Sequence, residues 1–432
     1  MRVVSFRSTI DRPHPHFAGW TMLTVSAFAL LLSTPAQTYG FSVFVDPMLA
    51  DLGISRSFLS IAYGVATLAS AGMVLLIGHV IDRRGHRVVM AISAAIYAVA
   101  LLLMGSVTGA ASLLIGFALL RTAGASVLSL SARTLVSQWF ERRRGRAVSL
   151  INVGKTLGMA FVPSANALLI AQIGWRDAWR VNALVILLLV PVAILIVRGR
   201  PEEIGQFPDG ERIEPPADIE LQSIEDERQS WTVGQALRTR TMWLLLSATI
   251  VPAAITNGLS FNQISILTQA GLTPTIAALT FAVESAIALP MTLFSGWLSD
   301  RIGPRFVLMF GQVALLLTLV CLAFTASLEM AILFGVLRGI TTGTWVLGTE
   351  VILPVYFGRR YLGSIVGLSF AAAFTGAAIG PLPFGVSYDL TGGYDVAIVG
   401  LAVLPVITTL AAFLAKPPAR RRPPHPADAA AR

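Results

Sequence analysis

Apolar residues recur along the chain in runs of about 20, separated by short charged or Gly/Pro-containing breaks. A run of that length rises far enough, at about 1.5 Å per residue, to cross a hydrocarbon core of roughly 30 Å. Backbone groups in lipid have no water to bond, so only helices or closed barrels can cross it, and the runs are read as helices. The first six predicted spans are Trp20 to Phe44, Phe58 to Gly78, Val88 to Gly105, Ala111 to Val136, Ala147 to Ile170 and Ala178 to Val197. The next six are Thr241 to Leu267, Ile276 to Leu298, Phe306 to Thr325, Met330 to Leu353, Ser364 to Tyr388 and Val396 to Ala415.

The breaks are not all different. Gly78-His79-Val80-Ile81-Asp82-Arg83-Arg84-Gly85-His86-Arg87 is matched by Gly296-Trp297-Leu298-Ser299-Asp300-Arg301-Ile302-Gly303-Pro304-Arg305, 218 residues on. Arg121 and Arg338, Arg133 and Glu350, and Phe140 and Phe357 pair at 217. The chain is therefore expected to be a tandem duplication: an all-α integral membrane protein of about twelve transmembrane helices in two homologous six-helix halves. Six spans per half give both copies the same orientation, related by an axis along the membrane normal. The expected divisions are a first half to residue 198, a cytoplasmic linker over 199–239, a second half over 240–415 and a basic tail over 416–432. The linker holds ten of the 23 acidic residues, and Trp231 to Met242 is expected to form a short interfacial helix.

Composition agrees, with 55% apolar and 13% charged residues and a mean hydropathy of +0.73. The net charge of +9 raises the question of nucleic acid, but the distribution of the 32 Lys and Arg answers it. With the N-terminus inside, 25 fall in cytoplasmic loops and tails, 3 outside (Arg56, Arg176, Arg180) and 4 within spans. Such a bias fixes orientation, with both termini on the cytoplasmic side of the inner membrane. Runs such as Arg142-Arg143-Arg144 and Arg420-Arg421-Arg422 are then topology signals with membrane lipids as counterions, and no nucleic-acid partner is expected. The stretch after the basic N-terminus is too long for a signal-peptide core and is read as the first span. Cys321 is the only cysteine, which excludes an intrachain disulfide. His14, His16, His79 and His86 lack metal-ligand spacing, and no nucleotide loop or hydrolase elbow is present. Neither an enzyme nor a cofactor is expected.

The duplicated ten-residue loop resembles that of the major facilitator superfamily, which carries it between spans two and three. The resemblance extends from Gln37-Thr38-Tyr39-Gly40-Phe41 to Gly380-Pro381 and Tyr388-Asp389-Leu390-Thr391-Gly392. Ser55-Arg56, Trp139-Phe140 ahead of Arg142-Arg143, Gly174-Trp175-Arg176 and Tyr356-Phe357-Gly358-Arg359 are similar to the branch of monocarboxylate transporters and oxalate:formate antiporters. This implies secondary active transport of small organic anions, as mono- or dicarboxylates, by proton symport or by exchange with a counter-anion. Two features of that branch are missing: Ala288 stands one turn after Glu284 where a basic residue belongs, and Ser364 to Tyr388 contains no lysine.

Four ionisable residues reach mid-depth, where a charge costs at least a few kcal/mol and marks function. Arg121 lies about 15 Å into span four, and Arg338, Lys155 and Glu284 about 12 Å into spans ten, five and eight. A carboxylate substrate at the midplane needs fixed cations, and Arg121 and Arg338 offer bidentate forks at symmetric positions. Arg121-Thr122-Ala123-Gly124 also resembles a superfamily motif whose Arg is structural or moves protons. Lys155, one of only two lysines against thirty arginines, is a point charge able to lose its proton; the alternatives are a permanent acid partner or snorkelling. Gly154 and Gly158 beside it fit tight helix packing. Glu284 is the candidate for a coupling proton, or for neutralising a neighbouring cation. Tyr39, Asn262, Gln263, Trp345 and Phe374 are further substrate-site candidates; they, and Asn257, equally fit packing between helices.

The repeated loop is read as a gate. Gly78 and Gly296 let helices approach, Gly85 and Gly303 suit a tight turn, and Asp82 and Asp300 accept from helix N-termini or cations. Arg133 is the expected partner of Asp82, and Glu350 that of Arg301 or Arg305, with Arg83 and Arg87 completing the set. A topology-determining turn with solvated charges is the plainer alternative. The functional expectation is a monomeric alternating-access carrier, working in uptake, with drug or metabolite efflux next and a non-transporting receptor as the alternative of another class.

Overall fold

The computed structural model describes residues 17–140, 143–210, 231–358 and 362–418. The N-terminal His14 and His16, Arg142, Arg359, most of the linker's acids and Arg420 to Arg422 lie outside them. Among the described residues all regular structure is helical, and eight helices are long and apolar enough to cross a membrane, with Gly19–Leu32 a shorter apolar one; divided at their breaks, the described helices follow the twelve expected spans.

Span one is broken into Gly19–Leu32, Thr38–Phe41 and Val45–Leu52. Pro35 has no N–H to continue the ladder, and Gln37 is extended (φ −80, ψ 157). Spans two and three form one element, Arg56–Met104, interrupted at Gly85 (φ 77, ψ 158). Span four runs through Ala110–Leu119, a π-helical segment Leu120–Leu128, and Ser129–Trp139. Spans five and six are Arg144–Leu187, interrupted at Gly174 (φ 79, ψ 164), and Leu189–Leu195. Span seven is Arg240–Gln269, eight Pro274–Ile302, nine Pro304–Ala323 and ten Leu328–Phe357. Eleven is Leu362–Ile379 with Pro381–Thr391, and twelve is Asp395–Leu414. Gly303 (φ 91) separates spans eight and nine as Gly85 separates two and three, so both copies of the loop turn through the left-handed region that favours glycine. The interfacial helix is only Val233–Leu237, with a capping box between Thr232 and Gln235.

Local chemistry sets several starts: Thr239, Thr273 and Ser327 accept from the backbone N–H three residues on, at 3.2, 3.3 and 3.4 Å, each supplying one acceptor for the orphan donors of a helix start. Outward surfaces are apolar; Leu184, Leu188 and Leu195 on span six are 64–68% exposed, a pattern that requires lipid as the outer solvent. Inside, polar groups tie helices together. Gln312 donates to the Ala248 carbonyl at 3.0 Å and accepts from Thr408 at 2.8 Å, joining spans seven, nine and twelve.

Glycines set how the spans seat. A Cβ on Gly154 would lie 2.0 Å from the Ala27 carbonyl oxygen, and one on Gly158 2.1 Å from Thr34 Oγ1, so span five meets span one backbone to backbone. In the second half a Cβ on Gly376 would lie 2.3 Å from the Ile250 oxygen and one on Gly380 2.1 Å from that of Ala254, joining span eleven to span seven. Between halves, span two packs on span eleven, where a Cβ on Gly64 would meet the Ala378 oxygen at 2.5 Å, and the Arg144–Leu187 element packs on span eight.

Candidate functional site

Arg338 is anchored by three partners. Its Nε donates to Glu284 Oε2 at 3.2 Å, one terminal nitrogen to the Thr256 carbonyl at 3.2 Å, and the other to Ser260 Oγ at 2.6 Å. Both charged side chains are 1% exposed, and Thr342 Oγ1 donates to the other carboxylate oxygen at 2.9 Å. A buried pair of this kind is held by mutual need: removing either member strands the other charge.

Among the described residues Arg121 makes the corresponding set without an acid. Its Nε donates to Thr67 Oγ1 at 3.2 Å and a terminal nitrogen to the Ala36 carbonyl at 2.9 Å. Its guanidinium carbon sits 4.8 Å from the centre of the Tyr63 ring, within cation–π range. Arg121 lies in the π-helical segment, whose wider turns displace its side chain relative to a regular helix. The equivalent stretch of span ten is α-helical throughout.

Lys155 is exposed on span five. The charges that act on it through space are Arg133, of like sign, and Glu284, of opposite sign. The same two groups act on Tyr39, whose ring faces Phe281 across the seam between halves at 6.3 Å. Arg133, Lys155, Tyr39 and Glu284 thus share one electrostatic neighbourhood, with Arg338 behind the carboxylate. Among the described residues Glu284 is the acid of that neighbourhood, with one oxygen on Arg338 and the other on Thr342.

The softer candidates separate. Gln263 donates to Thr280 Oγ1 at 2.6 Å and Asn262 to the Gly258 carbonyl at 3.0 Å, and both are 1% exposed. They join span seven to span eight and to its own backbone. Asn257 accepts from Thr38 at 2.9 Å across the seam. Trp345 and Phe374 are half-buried on spans ten and eleven.

At the end of the molecule away from the Gly-x-x-x-Asp-Arg loops, the halves are clamped together. Asp389, on span eleven, accepts from the backbone N–H groups of Arg56 and Ser57 at 3.1 and 2.9 Å. The Arg56 side chain pairs with Asp46, donates to Ser265 Oγ at 3.1 Å and lies 4.1 Å from the centre of the Tyr388 ring. Ser265 also donates to Asp46 at 2.7 Å. Phe41 and Phe261 stack below, 5.5 Å apart.

The profile described as Major Facilitator Superfamily matches residues 26–289 and 244–432. The chain belongs to that superfamily. A phosphoglycerate transporter protein of Salmonella typhimurium is 25% identical over 280 residues, 60% of this chain and 59% of the relative. Multidrug resistance protein MdtL of Klebsiella pneumoniae is 20% identical over 352 residues, covering 81% and 85%. The oxalate:formate antiporter of Oxalobacter formigenes is 22% identical over 408 residues, covering 92% and 89%. Among solved structures, a bacterial homologue of the human lysosomal transporter Spinster, inward-facing and unoccupied, superposes with a TM-score of 0.73 at 16% identity, over 93% of this chain and 97% of that one. The superfamily is one of transporters of small molecules, and its spread of cargoes leaves the substrate class open.

Of the superfamily's loop residues, Arg83, Arg87, Asp300 and Arg301 are exposed, and Gly296 and Arg305 half-buried. Arg301 sits 4.2 Å from the centre of the Trp297 ring and Arg305 4.5 Å from that of Phe306. Gly78 and the side chains of Asp82 and Glu350 lie outside the described set, so each of the two expected loop pairings has one member among the described residues. Thr67, Tyr63, Ser260 and Thr342 were not singled out from the sequence, although the repeat points to Thr67: it precedes Arg121 by the same 54 residues that separate Glu284 from Arg338.

Proposed function

We propose that this transporter carries small organic anions, mono- or dicarboxylates, through a cavity between the halves, by alternating access coupled to protons or to a counter-anion. The observation that supports this most directly is Lys155: exposed on span five and within electrostatic reach of an acid already engaged by Arg338 and Thr342. A carboxylate entering the seam gives Lys155 a counter-charge. Arg121, Arg338, Tyr39, Asn262, Gln263, Trp345 and Phe374 then form or shape the site, and Glu284 carries the coupling proton. The loop residues, with Arg133 and Glu350, act as the gate opposite the Arg56–Asp389 clamp. The surplus of Lys and Arg on the loop side supports an inner-membrane orientation with both termini cytoplasmic; the same proposal takes the divisions at 198, 239 and 415 and a monomeric carrier that uses no cofactor and performs no enzymatic step.

The test is uptake of labelled carboxylates into proteoliposomes, with and without a pH gradient. Flux of a carboxylate whose KM Lys155→Gln raises at least tenfold supports the reading. Dye extrusion with no anion flux under any gradient assigns the protein to efflux instead, and tight ligand binding without movement assigns it to a receptor.

A further inference from the structure

Spans two, three and four enclose a groove of about 540 Å³ that is separate from the seam between the halves. Its walls are apolar, and five of them, Met73, Val80, Val88, Ile92 and Ile96, are 41–54% exposed. At the loop end the groove is closed by Arg83 and Arg84, both exposed. From the turn at Gly85 to Ile96 the groove follows span three for about 16 Å. That length matches the roughly 15 Å of one leaflet's hydrocarbon.

We propose that this groove is a binding site for one anionic phospholipid of the leaflet on the loop side. The phosphodiester lies between Arg83 and Arg84, which supply charge-assisted donors, and one acyl chain runs along Val88, Ile92 and Ile96. The pattern of two cations at one end of a leaflet-length apolar trough is complementary to that molecule in charge and in length. A zwitterionic lipid offers the same phosphodiester but brings its own cation beside the two arginines, and free phosphate fits the arginines but leaves the trough empty.

The inner wall gives the site its interest. Thr122, Ala123 and Val127 line the groove and belong to the same π-helical segment that carries Arg121. The acyl chain therefore packs on the turns whose neighbouring residue holds Thr67 and the Ala36 carbonyl. A lipid in the groove supports that widened segment from the side opposite the seam.

The experiment titrates the full-length protein in detergent with phosphatidylglycerol or phosphatidylcholine and counts retained lipid by native mass spectrometry. Wild type is expected to retain phosphatidylglycerol at least threefold over phosphatidylcholine. Ile92→Trp, which fills the trough from an exposed position, is expected to lower retention of phosphatidylglycerol by threefold or more, and Ile96→Trp one turn further repeats the test. Arg84→Gln is expected to bring phosphatidylglycerol down to the phosphatidylcholine level. Retention unchanged in both tryptophan variants overturns the site, as does equal retention of the two lipids by wild type. Displacement of phosphatidylglycerol by millimolar inorganic phosphate reassigns the arginines to a free anion and likewise overturns it.

Discussion

Thr67 and Glu284 occupy the same station in the two halves: each receives the Nε of an arginine 54 residues further on, at 3.2 Å in both cases. One copy answers a guanidinium with a hydroxyl, the other with a carboxylate. The geometry is shared, and only the second copy can take up a proton there.

That contrast supplies the first prediction. Glu284→Ala leaves Arg338 buried without its counterion, and breaking a buried pair from one side costs about 3–5 kcal/mol; the melting temperature in detergent is expected to fall sharply. Glu284→Thr copies the first half and is expected to lose much less. In proteoliposomes the threonine variant should exchange substrate at equal pH but lose accumulation driven by a pH gradient. Gradient-driven accumulation retained by Glu284→Thr removes Glu284 from coupling.

Lys155 is exposed on span five, and its neutralisation is expected to act on affinity. Lys155→Gln is expected to raise KM for a carboxylate at least tenfold with an unchanged melting temperature, which corresponds to about 1.4 kcal/mol of lost binding. An unchanged KM separates Lys155 from the substrate.

Gly154 has no room for a side chain, since its Cβ would lie 2.0 Å from the Ala27 carbonyl oxygen. Gly154→Ala is expected to destabilise by about 1–3 kcal/mol, the usual cost of overpacking, read as a lower melting temperature. Gly72, where a Cβ meets nothing within 4 Å, is the matched control, and Gly72→Ala should melt with the wild type.

Asp389 holds the start of span two from across the seam through two backbone N–H groups. Asp389→Ala is expected to loosen the clamp and to raise labelling of a cysteine placed at Thr38 by a membrane-impermeant maleimide several-fold. Labelling that stays at the wild-type rate shows that Arg56, Asp46 and Ser265 suffice.

The fold was legible in the sequence because lipid imposes it: run length gave the spans, and the duplicated loop gave the two halves. Gly85 and Gly303 were readable as turns for the same reason, a local backbone need that one residue type meets. Span one was harder. Its apolar run predicts a continuous helix, and the break at Pro35 and Gln37 depends on neighbours that periodicity does not report. The site was legible in its charges and not in their pairing. Depth counting placed Arg338 and Glu284 at one level, but their contact depends on how spans eight and ten are rotated. Ser55-Arg56 and Tyr388-Asp389 stood out separately, and only the tertiary structure brings them together.

The glycine seams carry a mechanical consequence. Span five is welded to span one through Gly154 and Gly158, and span eleven to span seven through Gly376 and Gly380, each with carbonyls or hydroxyls where side chains would otherwise cushion the contact. Spans one and seven bear Tyr39 and Asn257, while the Arg144–Leu187 element and span eleven meet the opposite half. A displacement of span seven at Asn257 is therefore passed directly to span eleven, whereas on span one the break at Pro35 and Gln37 stands as a joint between Tyr39 and the stretch locked to span five.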